Sequence, residues 1–153
     1  MSIIAKDKNE DVYIGVGLPL THNKSGFFYR TKTSLEQTKS NIKNLLLTKK
    51  GERLGNPDFG SDLFKVVFEQ EGDDIENKVE EAIRSSMRQW LPFIIIDEIE
   101  TKFSERNRNV INVSMIFSIN IDTTNKSKLS IDLANSLEIK NAFYSTKKIR
   151  KGS

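Results

Sequence analysis

The residues of this chain best placed to do chemistry lie in one stretch, residues 51–60, reading GERLGNPDFG. It holds an adjacent acid and base, Glu52 and Arg53, a second acid at Asp58 and an aromatic ring at Phe59. Sugar hydrolysis needs two carboxyl groups flanking a glycosidic bond, which makes Glu52 and Asp58 nominal candidates. It also needs an apolar pocket to raise one carboxyl pKa, and this charged stretch supplies none. Arg53 offers different chemistry, because a planar guanidinium makes paired hydrogen bonds to a carboxylate or to main-chain carbonyls of another chain. Three glycines and Pro57 within the stretch predict a shaped loop, since Gly opens backbone angles closed to other residues and Pro fixes its own. Two readings follow. Either Arg53 is held out toward a partner with Phe59 as an anchor beside it, or Arg53 pairs with Glu52 or Asp58 and Phe59 belongs to the core.

Other chemistries are thinly supplied. The chain has no cysteine, which removes disulfides, thiolate metal sites and cysteine nucleophiles. His22 is the only histidine, and it sits in an expected loop, so neither a histidine metal cluster nor a catalytic triad is indicated. No cofactor and no metal are expected. The formal net charge is +3, but Lys147, Lys148, Arg150 and Lys151 alone exceed it, so the body is close to neutral. Nucleic-acid binding calls for a basic stripe on the fold, and none is visible; the terminal charges read as a solvated tail. No run approaches the roughly eighteen apolar residues of a membrane span, and the first residues lack a secretory pattern, so a soluble protein is expected.

A length of 153 residues fits one domain, and 37% hydrophobic against 29% charged residues implies a modest core. Residues 1–32 read as an N-terminal arm, in which residues 12–20 are interrupted by Gly15, Gly17 and Pro19 and a short strand follows at 27–30. Those aromatics form an edge strand or flap over the core, or else stack on a ligand. Ser34 with Gln37 predicts a helix start of the S-x-x-Q type. Leu35, Thr38, Ile42, Leu45 and Leu46 give that helix one buried stripe. Lys49 and Lys50 belong to its last turn, with Gly51 as its C-terminal cap. Ser61 then caps a short helix carrying Leu63, Phe64, Val67 and Phe68, ended by Gly72. Asp73 with Glu76 opens a longer one with Ile75, Val79, Ala82, Ile83, Met87 and Trp90 inward, closed by Pro92.

Helical spacing then gives way to alternation. Ile95, Ile99 and Phe103 share one face of a strand, with Ile94 and Ile96 making its start apolar on both sides. After a polar turn at 104–109, Ile111, Val113, Met115, Phe117, Ile119 and Ile121 alternate without a gap. Leu129, Ile131 and Leu133 follow a polar loop at 122–128. The expected fold class is α+β, with amphipathic helices packed on a small, mainly antiparallel β-sheet. Residues 33–134 form this domain and 135–153 a C-terminal arm with a basic tail, in which Leu137, Ile139, Phe143 and Tyr144 are apolar enough to dock on a neighbour.

Residues 34–69, SLEQTKSNIKNLLLTKKGERLGNPDFGSDLFKVVFE, closely resemble the baseplate wedge family of contractile phage tails, which includes a type VI secretion baseplate component. The shared pattern is a helix with a Leu-rich end, Gly-x-Arg, then Pro-x-Phe-Gly, here Gly51, Arg53, Pro57, Phe59 and Gly60, with Glu52 completing a Glu, Pro and Arg set. The resemblance spans residues 33–133. It implies a structural subunit of the virion tail baseplate, assembled in the host cytoplasm, that is not an enzyme. The subunit packs on a helical bundle of other wedge proteins and templates the first ring of the tail sheath, with no nucleic-acid or membrane partner. Glu52, Arg53, Pro57 and Phe59 then belong to the wedge contact. The sheath subunit adds by β-strand addition at residues 128–134, which carry Leu129, Ile131 and Leu133, and the tail beyond is a candidate exchanged arm. Two alternatives remain open: a peptidoglycan-cleaving, lysozyme-like enzyme, as some family members have been labelled, and a regulatory adaptor with the same fold. The run LEQTKSNIKNLLLT inclines the reading to a phage tail over a secretion apparatus.

Overall fold

The computed structural model describes residues 11–24, 27–69, 74–103 and 110–134. Their elements run β1 (Gly15–Val16), β2 (Arg30–Thr31), α1 (Ser34–Leu47), α2 (Leu63–Glu69), α3 (Ile75–Trp90), β3 (Ile94–Phe103), β4 (Val110–Ile119) and β5 (Asp122–Ala134). The three helices cover one face of the antiparallel sheet β3-β4-β5, and β1 pairs with β2 in a separate ribbon. This is the expected α+β class. Several expected features lie outside the described residues: the first ten residues of the N-terminal arm, the stop at Gly72, the cap at Asp73, the turn at 104–109 and everything from Asn135 onward.

Register decides which side chains reach the core. Across the sheet Ile99, Met115 and Leu129 form one inner row, and Thr101, Val113 and Ile131 the next. Against these rows pack Ile42, Leu45 and Leu46 of α1, Leu63, Phe64 and Val67 of α2, and Val79, Ile83 and Met87 of α3. The predicted helix stripes are therefore the core. Burying one such large side chain contributes roughly 1.5–3 kcal/mol.

In β3 the alternation differs from expectation. The pairing with β4 slips between Ile96 and Glu98, leaving Asp97 as the extra residue of a β-bulge. A bulge shifts the two-residue period by one. Ile94, Ile96 and Ile99 consequently pack on the core while Ile95 is 43% exposed, so Ile95 and Ile99 do not share a face. The Lys126 ammonium lies 3.0 Å from the Asp97 carboxylate. In β4 the alternation stops early: Ile121 lies in the β4–β5 turn and is exposed. Asp122 shapes that turn by accepting hydrogen bonds from Thr124 and Asn125, which hold its carboxyl below the usual carboxylate range.

The helix boundaries also move. Thr33, not Ser34, is the N-cap of α1; its hydroxyl accepts the Glu36 N–H at 3.2 Å. Gln37, expected in the capping box, instead accepts the Thr31 hydroxyl at 2.6 Å. At the other end α1 stops at Leu47 and Thr48 is already extended, so Lys49 and Lys50 lie beyond the helix and Gly51 serves the turn that follows. α3 starts with Asp74 at its N-cap position and ends at Trp90, just before Leu91 and Pro92.

The described part of the N-terminal arm forms a ribbon, whose second strand lies at Arg30–Thr31 rather than at 27–30. β1 pairs with β2, and His22 bridges to Phe28. The ribbon is tied to α1 because the Leu18 N–H donates to the Ser40 hydroxyl at 3.2 Å. Its aromatics Phe27, Phe28 and Tyr29 stay exposed, so they are not a flap buried over the core.

The bulge gives a direct test. Ile99→Ala should cost about 2 kcal/mol of unfolding free energy in urea melts, and Ile95→Ala less than about 1 kcal/mol. Equal losses at the two positions would mean that the strand alternates without interruption.

Candidate functional site

The loop between α1 and α2 is closed by backbone contacts at both ends. The Ser61 N–H donates to the Thr48 carbonyl at 2.9 Å, and the Ser61 hydroxyl donates to the Leu46 carbonyl at 2.9 Å. Both acceptors belong to the end of α1, whose last carbonyls have no partner within the helix. The same hydroxyl accepts the Leu63 N–H at 3.4 Å, so Ser61 joins the stop of one helix to the start of the next. Lys49 and Ser61 lie side by side as a parallel bridge.

Gly60 makes this approach possible. Its φ is +130°, and a Cβ there would lie 2.5 Å from the Thr48 carbonyl oxygen. Within the loop the Gly51 N–H donates to the Pro57 carbonyl at 2.7 Å, and Glu52 and Lys49 exchange hydrogen bonds. Asn56 donates to the Arg53 carbonyl and Phe59 to that of Asn56. Pro57 thus acts through its carbonyl and its fixed φ.

These contacts set the pose of Arg53. Its Nη2 donates to the Asn44 side-chain oxygen at 3.1 Å, and its Cζ lies 4.0 Å from the centre of the Phe59 ring. Phe59 in turn meets Trp90 edge-on, with ring centres 5.2 Å apart. Guanidinium, phenyl and indole form one stack running from the surface to the end of α3. Phe59 is half-buried against the core, the place that one of its two expected roles gives it. Arg53 forms no ion pair with Glu52 or Asp58 among the described residues, which corrects the self-paired reading. Its charge stays exposed, next to a fully exposed Leu54. Lys50, nearby, is paired with Asp62.

Glu52 and Asp58 are both exposed. Neither occupies the apolar setting that keeps a carboxylic acid protonated for catalysis. The other expected residues lie elsewhere: Leu129, Ile131 and Leu133 are on β5 with their side chains in the core. What β5 presents outward is a backbone edge that pairs with no other strand among the described residues, together with Lys128, Ser130 and Asp132. The contacts of Asn44 and Trp90 with the loop were not foreseen, although Trp90 was expected to face inward. Each contacts the loop across a sequence separation that no local pattern reveals.

The two positive-φ glycines should respond differently to substitution. Gly51→Ala (φ +87°, no atom within 4 Å of the added Cβ) should cost about 1–2 kcal/mol, the left-handed penalty alone. Gly60→Ala adds a backbone clash and should cost more, measured by urea unfolding. Equal costs would mean that residue 60 does not press on Thr48.

The fold has counterparts among solved structures. A candidate tail lysozyme from Geobacter sulfurreducens superposes with a TM-score of 0.61 at 19% identity, covering 68% of this chain and 93% of that one. A chain of the anti-feeding prophage baseplate gives 0.58 at 14% identity, covering 69% and 83%. A chain of the baseplate complex from the type VI secretion system gives 0.54 at 13% identity, covering 65% and 92%. At such identities these likenesses speak for the fold. No curated protein matches the sequence. The family model described as baseplate wedge protein gp25 matches residues 33–127, well over half of the chain, and the loop just described lies inside the match. The chain belongs to the baseplate wedge protein gp25 family.

Proposed function

We propose that the chain is a structural wedge subunit of a contractile-tail baseplate in the virion, assembled in the host cytoplasm, with the loop at 49–61 as its joint to neighbouring wedge proteins. The observation that carries this reading is the state of Arg53. Its guanidinium is oriented by Asn44 and Phe59, no acid neutralises it among the described residues, and Leu54 stands exposed beside it. A preoriented Arg loses little side-chain freedom on binding, and its donors match a carboxylate or a pair of carbonyls at a helix end. Family membership supports a baseplate as the setting.

The sheath contact falls to β5. Its pairing with β4 is unbroken from Ser127 to Ala134, whereas β3, at the opposite edge, is interrupted at Asp97. A regular edge offers evenly placed amide and carbonyl groups to an added strand, and a bulge disrupts such an offer. Leu129, Ile131 and Leu133 hold that edge in place from the core side, and the chain beyond Ala134 supplies the exchanged arm.

Arg53→Ala should leave the thermal melt and the emission of Trp90, the single tryptophan, close to wild type. It should weaken assembly with wedge partners roughly 30-fold, as loss of a central interface Arg does. Unimpaired assembly would count against the loop as the joint. Truncation after Ala134 should give a folded monomer on which baseplates form but sheath fails to grow; normal sheath growth would sink the strand-addition reading. Peptidoglycan cleavage by the purified chain, abolished in Glu52→Gln, would replace the structural role with an enzymatic one.

A further inference from the structure

A cleft of about 350 Å³ opens between the N-terminal ribbon and α1, remote in sequence from the loop. Leu18, Pro19 and the Tyr29 ring make one wall apolar. The ring lies across Gly17, where a Cβ would come 2.5 Å from it, so the wall takes this form only with glycine there. The facing wall belongs to α1 and carries Lys39 and Lys43, four residues apart and therefore on one side of the helix. Both lysines are half-buried, and neither pairs with an acid among the described residues. Burial, and then the charge of Lys39, hold the Lys43 ammonium below the usual lysine range. Glu36, also in the lining, is already engaged by the Lys32 N–H at 3.1 Å and the Tyr29 hydroxyl at 3.4 Å. The Tyr29 hydroxyl is raised above its ordinary pKa by burial and then by Glu36, so it stays neutral and keeps donating.

We propose that this cleft seats an extended segment of a neighbouring protein, with one carboxylate between Lys39 and Lys43 and an adjacent apolar side chain against Leu18, Pro19 and Tyr29. The two half-buried cations form no ion pair among the described residues, and Glu36 is taken up by other donors; that is a cost to the free protein which a carboxylate placed between them offsets. The apolar wall asks for a side chain that a free anion does not have. A polyanion would press further negative charge toward Glu36, which disfavours nucleic acid. The chain's own tail, with Lys147, Lys148, Arg150 and Lys151, carries the wrong sign. That the occupant comes from a protein neighbour rests on the baseplate reading; the preference for an acidic-apolar pair rests on the cleft alone.

The test is an NMR titration of the isolated, isotope-labelled full chain with acetyl-Glu-Leu-N-methylamide, its Gln counterpart and inorganic phosphate. The Glu peptide should shift the amides of Gly17, Leu18, Tyr29, Ser40 and Lys43 at millimolar concentrations. The Gln peptide should bind about tenfold more weakly, as should the Glu peptide to Lys43→Met, which keeps the aliphatic stem without the charge. Lys43→Arg should restore binding, separating charge from folding. Absence of localised shifts, or equal binding of the Glu and Gln peptides, overturns the proposal. Tighter binding of phosphate at the same amides overturns it in favour of a simple anion site. Shifts of these amides with protein concentration alone would assign the cleft to a second copy. No assembly enters this measurement, so its failure leaves the Arg53 joint standing, and failure of the joint leaves the cleft.

Discussion

The close approach of residues 48–50 to residues 60–61 is the constraint on which the rest of the molecule depends. Helix α1 ends with carbonyls that need donors, and Ser61 provides two. That pairing requires the chain to return within hydrogen-bonding distance of the point it left, and Gly60 is the residue that permits it. Once the return is fixed, α2 must begin beside the end of α1, and Leu63, Phe64 and Val67 reach the core from there. The intervening residues become a closed loop with little freedom. An exposed segment of this kind ordinarily tolerates change; here both ends are anchored at helix termini and backbone hydrogen bonds from Gly51, Asn56 and Phe59 close turns within it.

This rigidity gives Arg53 its chemical meaning. A surface arginine usually samples many rotamers and contributes little to any one contact. Arg53 is restricted by Asn44 at one end of its guanidinium and by the Phe59 ring beneath it, and that ring is itself held by Trp90. The stack transmits the position of α3 to the surface. Neither contact neutralises the cation, so restriction and unspent charge coincide in one side chain.

Much of the architecture was legible because it depends on local period. The stripes of α1 and α3, the alternation from Ile111 to Phe117 and the inward set of Leu129, Ile131 and Leu133 follow from spacing alone, and the helices and sheet follow from them. The misreadings share a cause in pairing between distant segments. Thr33 and Ser34 are both competent caps, and the choice fell to Thr33 because the Gln37 side chain is drawn off by Thr31. The C-terminal end of α1 moved inward because Ser61, thirteen residues beyond Thr48, takes its carbonyl. The parity of β3 changed at Asp97 because β3 carries one residue there that has no partner on β4. For the site, the residue types were readable and the contacts were not. Glu52 adjoins Arg53 in sequence and Asp58 follows in the same loop, yet neither forms an ion pair with it among the described residues, while Asn44 and Phe59 engage it.

Helix α1 is where these separate features meet. Its buried side, Ile42, Leu45 and Leu46, packs into the core beneath the sheet. Its outer side carries Glu36, Ser40, Lys43 and Asn44 at steps of three and four, a row that reads in sequence as ordinary solvated surface. In the structure Glu36 and Ser40 hold the N-terminal ribbon, Lys43 lines the cleft beneath it, and Asn44 orients Arg53. One rigid rod therefore fixes the spacing between the ribbon and the loop. Lys43 of the cleft and Asn44 of the loop site are consecutive residues of this helix, so the ribbon and the loop meet adjoining parts of one rod, which keeps them in constant relation. In a protein of a baseplate family such a relation would let a contact at one surface set the position of a contact at the other, which a deep pocket would not do.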